Sequence, residues 1–412
     1  MLELKSGKNK KKIWIVSELF YPSETSTGYI LTKIALWLSK EFDIYVITRI
    51  DEKLCRKNYE EYKGIKIFRY SPPFFDRGIL IFRIVEAIRF SVAILIRTIM
   101  KISRDDLVLC VTNPPFLPNI INLSAFIKQA KLIVLVHDVY PDLLVAVRLI
   151  KNSSYIYRIW SYLNYLLYKT ARLIIVLSSD MKDLLIKRFN SKGLDKKIKV
   201  ISNWAELDLI NMLSKSSSRI REKYNLNNKF VVQYAGNFGR PNDIETIVSS
   251  ANQLKTERDV VFLFAGDGPK RKFVENQKRI LNLDNIILIN RYRRHEQQDI
   301  LAAADLAIIA LVRGMKGISF PSRLYNILAS GRPIIGIVEE NSDLAKLIKR
   351  ENIGWVVEPG DYKSLAETIE KAKKDLTLEE KGIKARKLAE KYYSYENIME
   401  LFEKCLKQID DK

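Results

Sequence analysis

At 412 residues, with 47% hydrophobic and 28% charged residues, the chain is long enough for two domains and too apolar to be disordered. Its formal charge of +21 asks for an anionic partner: nucleic acid, an anionic membrane surface or a phosphorylated substrate. Three scattered cysteines, Cys55, Cys110 and Cys405, show neither disulfide nor metal spacing and fit a reducing compartment.

The lysine-rich start, Lys5 to Lys12, runs straight into the strand-like Ile13-Trp14-Ile15-Val16, without the long apolar segment of a signal peptide. Strands are predicted at 13–17, 44–48, 65–70, 107–112, 132–136, 173–177 and 199–202. Helical patterns fall between most of them, as at 29–40 and 181–188. The pattern weakens across 206–228, around the polar run Ser214-Lys215-Ser216-Ser217-Ser218. It restarts with strands at 230–234, 260–264, 286–288, 306–310, 334–338 and 354–357. Strands alternating with helices imply parallel sheets covered on both faces, so the fold class is α/β. The expected layout is a doubly wound domain over 1–205, a linker over 206–228 and a second doubly wound domain over 229–390. Residues 391–412 form a final helix free to pack back on either domain, the first being the expectation.

Two stretches bear on the basic charge. Between Arg77 and Arg104, basic residues punctuate a run of Ile, Phe, Val and Leu, and the longest uncharged stretch, Phe90 to Ile96, is too short to span a bilayer. Arg83, Arg89, Arg97 and Lys101 then mark either a basic amphipathic helix lying on a membrane or a core helix with a solvated face. Tyr155, Tyr157, Trp160, Tyr162, Tyr165 and Tyr168, mixed with Arg158 and Lys169, suit a headgroup layer as well as a helix core. No zinc knuckle, basic zipper or RNA-recognition signature is present, so nucleic acid is not the expected partner.

In doubly wound sheets ligands sit beyond the carboxyl ends of strands. After the first strand, Ser26, Thr27 and Gly28 open a helix with small residues that let amides approach an anion, although N-capping alone explains the hydroxyls. After 132–136 comes His137-Asp138-Val139-Tyr140-Pro141-Asp142, in which His137 is one of only two histidines. Its place makes it a candidate functional residue beside the alternative of a structural one. Turns with Gly236, Asn237, Gly239 and Arg240, and with Gly266 and Gly268, open the second sheet's edge to a flat or phosphorylated ligand, with Arg240 to neutralise charge. At 317–333, Pro321, Ser322 and Arg323 start a helix that Gly331 and Pro333 close, a start suited to a diphosphate. No D-x-D triad follows a strand, which agrees with chemistry that needs no metal.

These motifs, in this order and spacing, resemble the family-4 glycosyltransferases of GT-B architecture, over nearly the whole chain. Tyr21-Pro22 with Gly28, the His137–Asp142 run, Val200-Ile201-Ser202-Asn203-Trp204, the two glycine turns, Ala302-Ala303-Ala304-Asp305, the 321–333 segment and Val357-Glu358-Pro359-Gly360-Asp361 carry the likeness. The resemblance implies a nucleotide-diphosphate sugar, a UDP-sugar for preference, held as substrate by the second domain with no cofactor. It implies a glycan or lipid-linked acceptor facing the first domain, at an anionic membrane on the cytoplasmic side. It makes His137 and Asp138 the catalytic candidates, with His137 orienting donor sugar or attacking hydroxyl, and retention of configuration the expected outcome. Arg240 and the Ser322–Arg323 helix start would meet the diphosphate, and Gly266 would border the base. Asn326 stands where many members place a ribose-holding glutamate, and Ile318 where they place its partner glutamate. A non-catalytic nucleotide-sugar-binding relative is the alternative, and a basic nucleic-acid binder the remoter one.

Overall fold

A computed structural model describes residues 10–50, 54–70, 80–190 and 192–409, the side chains of 80–90 excepted. The first sheet has eight strands: β1 (Lys12–Val16), β2 (Asp43–Arg49), β3 (Tyr59–Tyr62), β4 (Ile65–Tyr70), β5 (Leu107–Val111), β6 (Lys131–Val136), β7 (Leu173–Val176) and β8 (Ile198–Val200). Their order is β3-β4-β2-β1-β5-β6-β7-β8, parallel throughout except for the antiparallel pair β3–β4. The second sheet is parallel: β9 (Phe230–Ala235), β10 (Val260–Ala265), β11 (Ile286–Ile289), β12 (Leu306–Ala310), β13 (Ile334–Ile337) and β14 (Gly354–Val357), ordered β11-β10-β9-β12-β13-β14. Central strands such as β5 and β10 are buried at every residue, as strands with helices on both faces must be.

Every strand expected from the sequence is present; β3 is additional. Its YEEY sequence carries two central glutamates and little apolar signal. A tight turn through Lys63 (φ 49°) and Gly64 (φ 79°) forms the hairpin, and Glu60 pairs with the buried Arg69 at 2.8 Å. That partner sits on the neighbouring strand, which periodicity does not see.

The helices that matter for function are α1 (Ser26–Leu38), α2 (Leu80–Lys101), α3 (Leu117–Lys128), α4 (Asp142–Ala146), α5 (Tyr155–Thr170) and α6 (Ser179–Phe189). Helix α1 buries Ile30, Leu31, Ile34 and Leu38 on one face of the first sheet. The last helix, Tyr395–Lys407, adds Ile398, Met399, Phe402 and Leu406 to the same core, and Trp37 Nε1 donates to Glu403 Oε2 at 2.9 Å. The chain therefore crosses back after completing its second sheet. The stretch 206–228 is no loose connector. Arg221, 4% exposed, pairs with Asp305 and donates to Ala303 O at 2.9 Å, while Asp305 Oδ2 accepts from Val231 N at 2.7 Å. Such a buried guanidinium is tolerable only with its hydrogen bonds made, and here they bind 219–223 to the second sheet.

Strand order reverses between β1 and β5 in one sheet and between β9 and β12 in the other. A crevice opens at each such point beyond the strand ends. The two sheets meet there: the Asp138 segment forms an antiparallel bridge with Ser319, and Val139 N donates to Ile318 O at 2.8 Å.

Candidate functional site

On the first edge, Thr25 rather than Ser26 or Thr27 caps α1, accepting from Gly28 N at 3.4 Å. The Thr27 hydroxyl accepts from Asn113 Nδ2 at 3.2 Å, and Gly28 is covered by Ser23, whose carbonyl would stand 2.9 Å from an added Cβ. Ser26 alone of the three is exposed, so the expected anion loop offers less than its sequence suggests. Thr112 Oγ1, just past β5, accepts from His137 N (3.0 Å) and Asp138 N (3.3 Å) and so fixes the turn after β6.

That turn presents a neutral imidazole. Burial pushes the His137 pKa down to about 4, and Nε2 is buried without a hydrogen-bond partner among the described residues. The Asp138 carboxyl is pushed up by burial, an effect partly offset by a hydrogen bond from Ser319. Its partner lies on the other sheet's side, so Asp138 is engaged in joining the domains as well as standing at the site.

The second edge is shaped by backbone. Gly236 (φ 142°), Gly266 (φ 137°) and Gly268 (φ 147°) all lie where a side chain is strained. A Cβ on Gly266 would fall 2.0 Å from Gly236 O, and one on Gly268 2.5 Å from Asn237 Oδ1. Phe238 N donates to Asp267 O at 2.9 Å, locking the two turns together. Over this platform stands Arg323. Its Cζ would lie 2.9 Å from a Cβ on Gly236, and the guanidinium sits 4.5 Å from the Tyr234 ring centroid. Nη2 donates at 3.4 Å to Asn237 O and to Asn242 Oδ1, whereas Nη1 is buried with no partner among the described residues. Arg240 is exposed nearby in sequence. Tyr292 packs beside Ala235, Ala265 and Ile300 at the end of the same sheet.

The helix bearing Arg323 differs from the sequence picture. It spans Arg323–Ala329, seven residues, and Ser322 is exposed and makes no capping hydrogen bond. Leu324 N instead donates to Pro321 O at 3.1 Å, so Pro321 sets the first turn. The cation, not the helix end, is what this segment delivers. Asn326 also departs from expectation. Its Oδ1 accepts from Glu206 N at 3.3 Å and its Nδ2 donates to Gln297 Oε1 at 3.2 Å, so both ends of the amide are engaged.

Glu206 anchors the junction between the edges. Trp204 Nε1 donates to it at 2.7 Å, Lys33 stands 4.0 Å away, and it hydrogen-bonds Tyr29. Tyr29 in turn lies under the Arg294 guanidinium, 3.5 Å from the ring centroid. Arg294, Tyr29 and Glu206 thus join the second edge to the residue after Gly28. Their only sequence signal was an unremarkable cluster, Arg291 to Arg294. Among the described residues no group of three or more His, Cys, Asp or Glu side chains converges as a metal set.

Of the proposed membrane residues, Arg83 and Arg89 have side chains outside the described residues. Arg97 lies 3.6 Å from the Tyr70 ring centroid and Lys101 3.8 Å from that of Phe68. Both stack on β4 rather than forming the outward stripe. That stripe is Val92, Ile96 and Met100.

Residues 29–209 match the family described as Glycosyltransferase Family 4, and residues 216–391 match Glycosyl transferases group 1. The probable glycosyltransferase WbjE of Pseudomonas aeruginosa is 29% identical over 406 residues, covering 97% of this chain and 98% of that protein. Sucrose-phosphate synthase of Thermosynechococcus elongatus superposes with a TM-score of 0.75 at 17% identity, covering 97% and 99% of the two chains. Anabaena HepE in complex with UDP-glucose superposes with a TM-score of 0.72 at 16% identity, covering 96% and 99%.

Proposed function

The chain belongs to the family-4 glycosyltransferases of GT-B architecture, and from that premise we propose that it moves a sugar from a nucleotide-diphosphate sugar to a glycan or polyprenyl-linked acceptor in polysaccharide biosynthesis. A UDP-sugar is favoured, in keeping with the UDP-glucose held by the Anabaena neighbour. The observation that carries the donor assignment is the Arg323 guanidinium, held over Gly236 at the second sheet's switch point with Nη1 unpaired. A half-buried cation whose Nη1 is buried and unpaired is ready for an anion, and diphosphate oxygens match its fork.

In this reading Arg323, Arg240 and the amides of the Gly236 and Gly266 turns neutralise the departing diphosphate, without a metal. The anomeric carbon gains positive charge as the bond breaks, so fixed cations at the leaving group lower the barrier. His137, neutral at pH 7, orients a sugar hydroxyl by hydrogen bond and adds no charge. Retention of configuration goes with the family. No described helix is long and apolar enough to cross a membrane, and the enzyme is proposed to act peripherally on the cytoplasmic face.

A thermal-shift screen against UDP-, GDP-, ADP- and dTDP-sugars tests the donor. One nucleotide class should raise the melting temperature by several degrees, and Arg323→Ala should erase the shift without lowering the ligand-free melting temperature. The reading fails if no class shifts the wild type, or if the variant shifts equally. A shift without turnover on any acceptor would favour the non-catalytic relative.

A further inference from the structure

Exposed large apolar residues are distributed very unevenly. In the second domain they are scattered, as at Ile280 and Leu376, and the helix Leu378–Tyr392 carries two of them nine residues apart, Ile383 and Tyr392. In the first they gather on three neighbouring helices. Met100 on α2 is 77% exposed and Phe126 on α3 73%, and Ile96, Ile127, Ile159 and Leu163 on α2, α3 and α5 are also exposed. These helices lie side by side with α3 in the middle. The hydroxyls of Thr98 and Ser124 meet at 2.7 Å between α2 and α3, and Asn119 Nδ2 donates to Asn164 Oδ1 at 3.1 Å between α3 and α5. Polar groups thus face the helix seams while aliphatic groups face out. An apolar surface of that extent marks an interaction site, whereas single exposed side chains need no explanation.

Charge selects the occupant. Neither α3 nor α5 contains an Asp or Glu, nor does 91–101 of α2. Arg104, Arg158 and Lys169 stand exposed at the borders of the face. An apolar centre free of carboxylates on α3, α5 and 91–101, with a basic fringe in which Arg104 is paired with Asp105 at 3.8 Å, complements an anionic lipid leaflet. The face also leads to the site. Phe116, part-exposed, stacks on Trp160 (3.8 Å between centroids), and Trp160 stacks on Tyr140 (5.7 Å), three residues beyond His137.

We propose that the α2–α3–α5 face inserts its apolar side chains into the headgroup–acyl boundary of an anionic leaflet, with Phe126 and Ile96 as anchors, and so holds the His137 turn beside the bilayer. This rests on the peripheral-membrane reading above and replaces basic residues with apolar ones as the main source of affinity. The face adds acceptor access, since a lipid-linked sugar leaves the leaflet where the Phe116–Trp160–Tyr140 column begins.

The test is flotation of the full chain, without substrates, on phosphatidylcholine–phosphatidylglycerol vesicles at roughly three to one, in low salt and at about 1 M salt, where the Debye length is about 3 Å. Wild type should float in both. Phe126→Asp with Ile96→Asp should lower partitioning about tenfold or more in both, at an unchanged melting temperature. Ile280→Asp on the second domain should leave flotation unaltered. The proposal is overturned if wild type stays unbound, if the double variant floats like wild type, or if wild type runs as a dimer that the double variant splits. None of these outcomes alters the nucleotide-sugar thermal shift, so the donor reading stands or falls separately.

Discussion

The first sheet's edge is built from side chains: a neutral imidazole at His137, held by Thr112, and a helix start whose Thr25 and Thr27 hydroxyls already have partners. The second sheet's edge is built from backbone, with three glycines at positive φ and a guanidinium laid over them. The difference accords with what each edge is proposed to hold. A diphosphate is the same in every nucleotide sugar and is best met by amides at fixed distance and by cations. An acceptor varies, and exchangeable side chains on one scaffold suit it. The second edge should therefore be intolerant of any added atom, the first more forgiving.

The strongest way to break that contrast is Gly266→Ala. Its Cβ would overlap Gly236 O, in a backbone region that alanine rarely adopts, so a loss of about 3 kcal/mol or more in urea denaturation is expected. Little change in stability would mean that the two turns are not interlocked. Next is Arg323→Ala, expected to cut sugar transfer about 10²- to 10³-fold while the fold is kept, as loss of one preorganised charge-stabilising donor does. Activity near wild type would move the diphosphate elsewhere, with Arg240 the first alternative.

His137→Gln sharpens the contrast through pH. The folded His137 pKa of about 4 lies below the usual 6.5 of an unfolded chain. Between those values the unfolded state binds the extra proton, so this contribution to stability is whole above pH 6.5 and is lost as pH falls towards 4. The stability gap between wild type and His137→Gln should therefore shift against wild type from pH 7 to pH 5. A gap independent of pH would put the imidazole in solvent. The smallest effect belongs to Asn326→Ala, which leaves Glu206 N and Gln297 without a partner. It should cost about 1 kcal/mol and leave the nucleotide affinity unaltered. A rise in donor KM would restore the ribose role to Asn326.

Much of the fold was legible because its signals are local. Continuous apolar runs such as Val260–Ala265 mark buried parallel strands, and glycine after a strand marks a turn that needs positive φ. The glycine turns were legible in this way, while His137 and Arg323 were singled out by their places after a strand and at a helix start. What the sequence did not show were partners that lie far along the chain. Arg97 and Lys101 looked like a membrane-facing basic stripe until Tyr70 and Phe68 took them inward. Asn326 looked free until the 206 segment crossed it.

The sequence by itself determined which segments become strands and where strands give way to turns, since period and turn chemistry act within a few residues, and its ordered motifs carried the resemblance to the glycosyltransferases. Only the tertiary structure decided what faces what. Arg323 reaches Gly236 because β9 and β12 are neighbours across a switch point, and Arg294 reaches Tyr29 because two sheets meet. Strand order and domain packing set those distances, and neither is written in any short window of the chain.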